Sequence, residues 1–219
     1  MKFQFDPGLP HQQQAIAAVV DALEGLGADS SEISYLTEGD TGGFAIGAVF
    51  SNSFTLDDES LLRNVRSVQE RNGVPVSDAL DGRQFTVEME TGTGKTYVYL
   101  RTIRELHKRY GLTKFVVVVP TLAIREGVAK STEMLVEHFR AIYGAIPCAT
   151  TVFNSRQCAS IERFSTTNTL QVLVLNIDSF NRQANVINQP QPTLNNLSPL
   201  ALLSACRPVV ILDEPQNLE

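Results

Sequence analysis

Two clusters of residues in this chain have the types and spacing to do phosphate chemistry. The first is Thr91-Gly92-Thr93-Gly94-Lys95-Thr96, preceded by Glu88-Met89-Glu90. Glycines in a loop that runs into a helix let backbone amides and the positive end of the helix dipole face an anion. Lys95 adds a point charge for the outer phosphates, and the Thr96 hydroxyl is a ligand for magnesium. The usual pattern, G-x-x-x-x-G-K-[ST], has a glycine where this chain has Met89; the remainder of it is intact. The second cluster is Asp213-Glu214-Pro215-Gln216, which follows the apolar run Pro208 to Leu212. An Asp at a strand end can hold magnesium through water, and a Glu one residue on can orient or deprotonate an attacking water. Alone, an Asp-Glu pair there reads as a solvated strand end. Combined with Lys95-Thr96 it reads as the second half of a nucleotide-hydrolysing site, and the long separation of the two leaves room for several β-α units between them.

These clusters must be carried by regular elements. Gln84-Phe85-Thr86-Val87 reads as a strand before the loop, and residues 95–109 as a helix after it. Earlier, Pro10 to Leu23 reads as an amphipathic helix, with Ile16, Val19, Val20 and Leu23 on one face, Pro10 in the first turn and Gly25 at the stop. Three glutamines open it. The side-chain amide of Gln12 offers one donor and one acceptor, which suits an adenine edge and equally suits a polar surface. Residues 25–82 are acidic and rich in Gly, Ser, Asp and Thr, with a strand expected over 44–50 and a helix capped at Asp57-Asp58-Glu59-Ser60. They have too few apolar residues for a core of their own, and read as an insertion. Lys114 to Val119 and Leu170 to Leu175 are continuous apolar runs, the pattern of strands buried on both faces of a parallel sheet. Further strands are expected at 150–153 and 208–212, one long helix from Thr121 to Arg140, a polar loop over 181–199 and a short helix from Pro199 to Cys206. Alternation of this kind predicts an α/β, doubly wound, mainly parallel sheet with flanking helices, with ligands at the carboxyl ends of the strands.

Composition narrows the function classes. The chain has 219 residues, 43% of them hydrophobic, enough for a sizeable core. It contains no apolar run long enough to span a membrane, and its first residues lack the apolar core of a signal peptide, so a cytoplasmic protein is expected. The three cysteines, Cys148, Cys158 and Cys206, form no C-x-x-C pair and are expected as reduced thiols. A net charge of −6 argues against a general nucleic-acid binder, but the charge is uneven: residues 1–90 carry a net −10 and residues 91–140 a net +5. The basic excess coincides with the phosphate loop and the next strand. It reads either as a phosphate-facing side or as solvated helix faces formed by residues such as Arg101, Arg104 and Lys108. His11, His107 and His138 are isolated, and surface or helix-packing roles are expected for them.

The combination of TGTGKT with Asp213-Glu214-Pro215-Gln216 resembles the first motor domain of a superfamily 2 helicase-like ATPase. The form Met89-Glu90-Thr91-Gly92-Thr93-Gly94-Lys95-Thr96 and the early Leu9-Pro10-His11-Gln12-Gln13 helix together resemble the restriction (Res) subunit of type III restriction-modification enzymes. The resemblance covers essentially the whole chain and is loosest over 25–82. It implies a single RecA-like, P-loop NTPase motor domain with an acidic insertion, using ATP and Mg2+. By motif, it implies that Gln12 reads adenine, Thr91 to Thr96 hold the phosphates, Thr96 and Asp213 hold magnesium, and Lys95, Asp213 and Glu214 are catalytic. Pro120, Thr121 and Arg125 match a motif that touches the DNA backbone, and Asn176 opens a looser match to the next one. Phe5 would stack on adenine, or pack in the core. The implied partners are double-stranded DNA and a methyltransferase (modification) subunit, with no membrane. A second motor domain and a nuclease domain are expected outside these residues, so that the chain alone hydrolyses ATP slowly or not at all. The alternatives are another superfamily 2 DNA helicase motor and a nucleotide-dependent binding module without catalysis.

Overall fold

The computed structural model describes residues 6–35, 48–154 and 158–217. Within these the chain forms two compact units, one gathering Met1–Ser30 with Phe54–Gly111 and the other Ser31–Ser53 with Leu112–Glu219.

The first unit is built from three helices. Helix α1 (Pro10–Ala22) has proline at its start, where a missing N–H is harmless, and buries Ile16 and Val20. Helix α2 (Asp58–Arg71) is capped by Asp57, whose carboxylate accepts from the Ser60 amide at 2.8 Å, and it packs Leu61 and Val65 against Ala22 of α1. Helix α3 (Lys95–Tyr110) runs between two left-handed glycines, Gly94 and Gly111, and fully buries Leu100, Ile103 and Leu106. Its last residue donates from the Tyr110 hydroxyl to the Val20 carbonyl at 2.8 Å, tying α3 to α1.

The strand expected over Gln84–Val87 does not form. These residues carry no regular structure and pair with no described strand, and Phe85 and Val87 are 48% and 43% exposed. An aromatic and β-branched run becomes a strand only where a neighbour supplies the ladder, and the regular elements of this unit are helices.

The second unit holds both sheets. Strands β1 (Ser31–Tyr35) and β2 (Ala48–Asn52) form an antiparallel pair. A four-stranded parallel sheet has the order β4 (Cys148–Val152), β5 (Leu170–Asn176), β3 (Lys114–Val119), β6 (Val209–Leu212). Strands β3 and β5 are buried along their whole length, as their continuous apolar runs required. Alternation divides the sheet into two faces. Val116, Val118, Leu173 and Leu175 share a core with Val49 of β2, Ile161 and Phe164 of α6 (Ala159–Thr166), and Leu202 and Leu203 of α7 (Pro199–Ala205). Helix α4 (Leu122–Met134) packs against β3, β4 and β5.

Differences from the sequence reading have local causes. The expected long helix is two, α4 and α5 (Val136–Tyr143), broken at the buried Leu135. Strand β1 and helix α6 were not anticipated: β1 is half polar and α6 is short. Of the strand expected over 44–50, residues 48–50 lie in β2 and 44–47 lie outside the described residues. The stretch 25–82 is shared out, its hairpin in the second unit and α2 in the first. Asn52 explains the hairpin's allegiance. Its Oδ1 accepts from the amides of Thr113 and Lys114 at 2.9 and 3.1 Å, and its Nδ2 donates to the carbonyls of Lys114 and Arg207 at 2.8 and 3.1 Å. The polar loop over 181–199 contains two short helical turns, Val186–Asn188 and Pro192–Leu194; Asn185 Nδ2 donates to the carbonyls of Asp178 and Ser179, and Ile187, Leu194 and Leu197 enter the core. Among the described residues, no helix is long and apolar enough to cross a membrane.

Candidate functional site

In the first unit the phosphate loop sits at the start of α3. Gly92 and Gly94 have φ of 81° and 90°, conformations that side chains resist. Gly94 is the N-cap of α3 and brings no side-chain cap, and the first turn holds no acidic residue. The helix start therefore has neither a capping side chain from its N-cap residue nor a carboxylate in its first turn, which suits an external anion. Beside Gly92 an added Cβ would meet nothing within 4 Å, so this side of the loop is open; beside Gly94 it would stand 2.5 Å from Gln12 Nε2. The loop thus fits a phosphate chain: left-handed glycines, an N-cap without a side chain, open space beside Gly92, and Lys95 and Thr96 as the first helical residues.

Helix α1 meets this loop with its first turn. Gln12, 7% exposed, donates from Nε2 to the Thr93 carbonyl at 2.9 Å, and His11 Nε2 lies 3.2 Å from the same oxygen. The Thr93 hydroxyl donates to the Glu90 carbonyl at 2.6 Å. Arg101, expected on a solvated face, is buried, and donates to the Pro7 carbonyl at 2.7 Å and to the Tyr97 hydroxyl at 3.3 Å. Arg104 is likewise buried, on the Leu100 carbonyl. Lys114 is fully buried and donates to the carbonyls of Phe164 and Thr167, so it too leaves the surface. Part of the basic excess of 91–140 is therefore internal scaffolding. Lys108 is exposed, as expected. Sequence reasoning missed His11; the available signal was its position beside Gln12 in the first turn of one helix. Phe5 lies outside the described residues.

In the second unit, the remaining candidates gather at the carboxyl ends of the parallel strands. Val119 pairs with Asn176, and the Asp213 amide donates to the Val118 carbonyl at 2.9 Å, so Asn176 and Asp213 flank the end of β3. Asp213 is 9% exposed. Glu214 has φ of 55°, left-handed for a residue with a side chain, and its carboxylate accepts from Gln216 Nε2. Such a conformation costs about 1–2 kcal/mol and is held by its surroundings. Pro120 follows β3, and Thr121 caps α4, accepting from the Ile124 amide at 3.2 Å. One turn on, Arg125 Nη1 reaches the Phe153 carbonyl at 3.4 Å, while its Nε is buried with no hydrogen-bond partner. Asn176 Oδ1 accepts from the Asp178 amide at 2.7 Å, while its Nδ2 is also buried without a partner. Two orphaned donors near one sheet end call for an acceptor, since a buried donor left unmade costs about 1–3 kcal/mol.

The three cysteines form no disulfide with one another; Cys206 is buried, while Cys148 and Cys158 are half-buried. Burial pushes the Cys206 thiol up to about 11, against the pull of nearby Lys114.

A parallel sheet flanked by helices, in one chain with a phosphate loop at a helix start, is the build of a RecA-like P-loop domain. The chain belongs to the family described as type III restriction enzyme, res subunit, whose model matches residues 7–216, and it is a helicase-like domain of that family. It is 30% identical to the Res subunit of the type III restriction-modification enzyme EcoPI of Escherichia phage P1, over 98% of this chain and 23% of that protein. The EcoP15I Res subunit of Escherichia coli gives the same figures, 30%, 98% and 23%. The StyLTI Res subunit of Salmonella typhimurium is 30% identical over 95% of this chain and 20% of its own length. The chain thus spans about a fifth to a quarter of the relatives it matches.

Proposed function

We propose that this chain is the ATP-binding first motor domain of a DNA-dependent ATPase and translocase, one that serves ATP-dependent restriction in a longer protein. The observation that carries the reading is the glycine-built start of α3, where left-handed Gly92 and Gly94, the second an N-cap with no side chain, lead into Lys95-Thr96.

In this reading the amides of Thr91 to Gly94 receive the phosphates and Lys95 adds charge at their outer end. Gln12 reads the adenine edge. Thr96 and Asp213 hold Mg2+, which neutralises phosphate charge when bound. Glu214 orients the attacking water and takes its proton. Thr121, at the start of α4, Arg125 and Asn176 engage the DNA backbone beside Pro120. The residues matched to the family form one motor domain with 25–82 inserted, acting on double-stranded DNA with a modification methyltransferase as partner, in the cytoplasm.

Titration of a fluorescent ATP analogue with the 219-residue chain and its Lys95→Ala variant tests the reading. The expected result is saturable binding that Lys95→Ala weakens at least tenfold. Equal binding by the two proteins would overturn it.

A further inference from the structure

We infer that His11 is a positioning residue of the phosphate loop, acting with Gln12 through the carbonyl of Thr93; this rests on the nucleotide reading above. Both side chains come from the first turn of α1, and both present a nitrogen to one oxygen, His11 at 3.2 Å and Gln12 at 2.9 Å. A carbonyl oxygen has two lone pairs and accepts both bonds, His11 donating as the Nε2–H tautomer or as the imidazolium.

The consequence follows from peptide geometry. All described peptide bonds are trans, and in a trans peptide the carbonyl of one residue and the N–H of the next point in opposite directions. Holding the Thr93 oxygen against α1 therefore aims the Gly94 N–H away from α1. The next carbonyl is held as well: Gly94 O accepts from the Val98 amide at 3.0 Å. The Thr93–Gly94 peptide is thus held by α1, and the Gly94–Lys95 peptide that follows it by the first turn of α3. Left-handed glycines flip readily, and Gly94 has φ of 90°, so this peptide is the one in the loop with most to gain from being held. With two donors on its oxygen, the Gly94 amide is oriented before the phosphate arrives.

The test uses the full 219-residue chain and two probes, ATP and inorganic tripolyphosphate, the second reporting the cradle without the base. His11→Phe keeps a ring and removes the donor; His11→Gln restores an N–H of similar reach. His11→Phe should weaken both probes by about fivefold to tenfold, the worth of one net hydrogen bond, and His11→Gln should recover most of the loss. Gln12→Ala should weaken tripolyphosphate as well as ATP. Circular dichroism and the thermal midpoint check folding. If His11→Phe is unfolded, the comparison passes to His11→Ala against His11→Gln. Binding of both probes within twofold of wild type by the donor-less variant would overturn the proposal, as would a loss confined to ATP, which would assign His11 to the base. Failure of wild type to bind either probe, or indifference to Lys95→Ala, would remove the nucleotide reading itself.

Discussion

Gln12 and Gly94 define each other: the amide of Gln12 occupies the space where a side chain at residue 94 would begin, 2.5 Å from its Cβ position. The left-handed φ of 90° adds a second, independent reason for glycine there. Gly94→Ala is therefore expected to weaken binding of a fluorescent ATP analogue at least tenfold. Gln12→Gly in the same molecule should restore little, because it clears the space but leaves the backbone conformation strained.

Glu214 carries a different strain. At φ of 55°, glycine is tolerated and a β-branched residue is not. Glu214→Val should unfold at lower urea concentration than Glu214→Gly, by about 1–2 kcal/mol. Glu214→Gln, with similar backbone preferences to Glu, should match wild type in stability. In the longer protein Glu214→Gln should keep ATP binding and lose hydrolysis, measured by phosphate release.

The buried Lys114 and Cys206 make stability depend on pH with opposite signs. Burial lowers Lys114 from 10.5 to about 8. Between those values the unfolded chain holds a proton the folded chain has shed, so stability rises with pH. Burial raises Cys206 from 9.0 to about 11, so over that range the folded chain keeps the proton and stability falls as pH rises. The thermal midpoint should gain from pH 8 to 9 and flatten above. Cys206→Ala should extend the gain toward pH 10.5, and Lys114→Met should remove it.

Asn52 is a buried amide with all its capacity used on backbone of β3 and of the turn before β6. Asn52→Ala leaves those groups unmatched, and a loss of about 2–4 kcal/mol in urea unfolding is expected, from several buried hydrogen bonds at about 1 kcal/mol each plus desolvation.

Arg125 and Asn176 each hold a buried donor without a partner. With both residues on the proposed DNA side, Arg125→Ala should reduce affinity for double-stranded DNA across sequences and shrink the slope of log affinity against log salt by about 1. Asn176→Ala, which removes no charge, should lower affinity with the slope unchanged. Fluorescence anisotropy across a salt series distinguishes the two.

Local sequence determined what depends on neighbours in the chain. The runs of β3 and β5 read as doubly buried strands because they are almost wholly apolar, and the fold buries them throughout. The start of α3 was legible because Gly94-Lys95-Thr96 encodes a turn and a helix together. Helix α2 announced itself by its Asp57 cap. Tertiary structure decided what depends on distant partners. Gln84 to Val87 has strand-forming residues, yet strands are made by ladders, and none is supplied there. Arg101, Arg104 and Lys114 look like surface charge by type, but each finds carbonyls inside the fold and is buried. The meeting of His11 and Gln12 on the Thr93 carbonyl, some eighty residues away in sequence, has no local signature. A motif names the residues that receive a phosphate; which side chains hold those residues in place is set by contacts that only the folded chain makes.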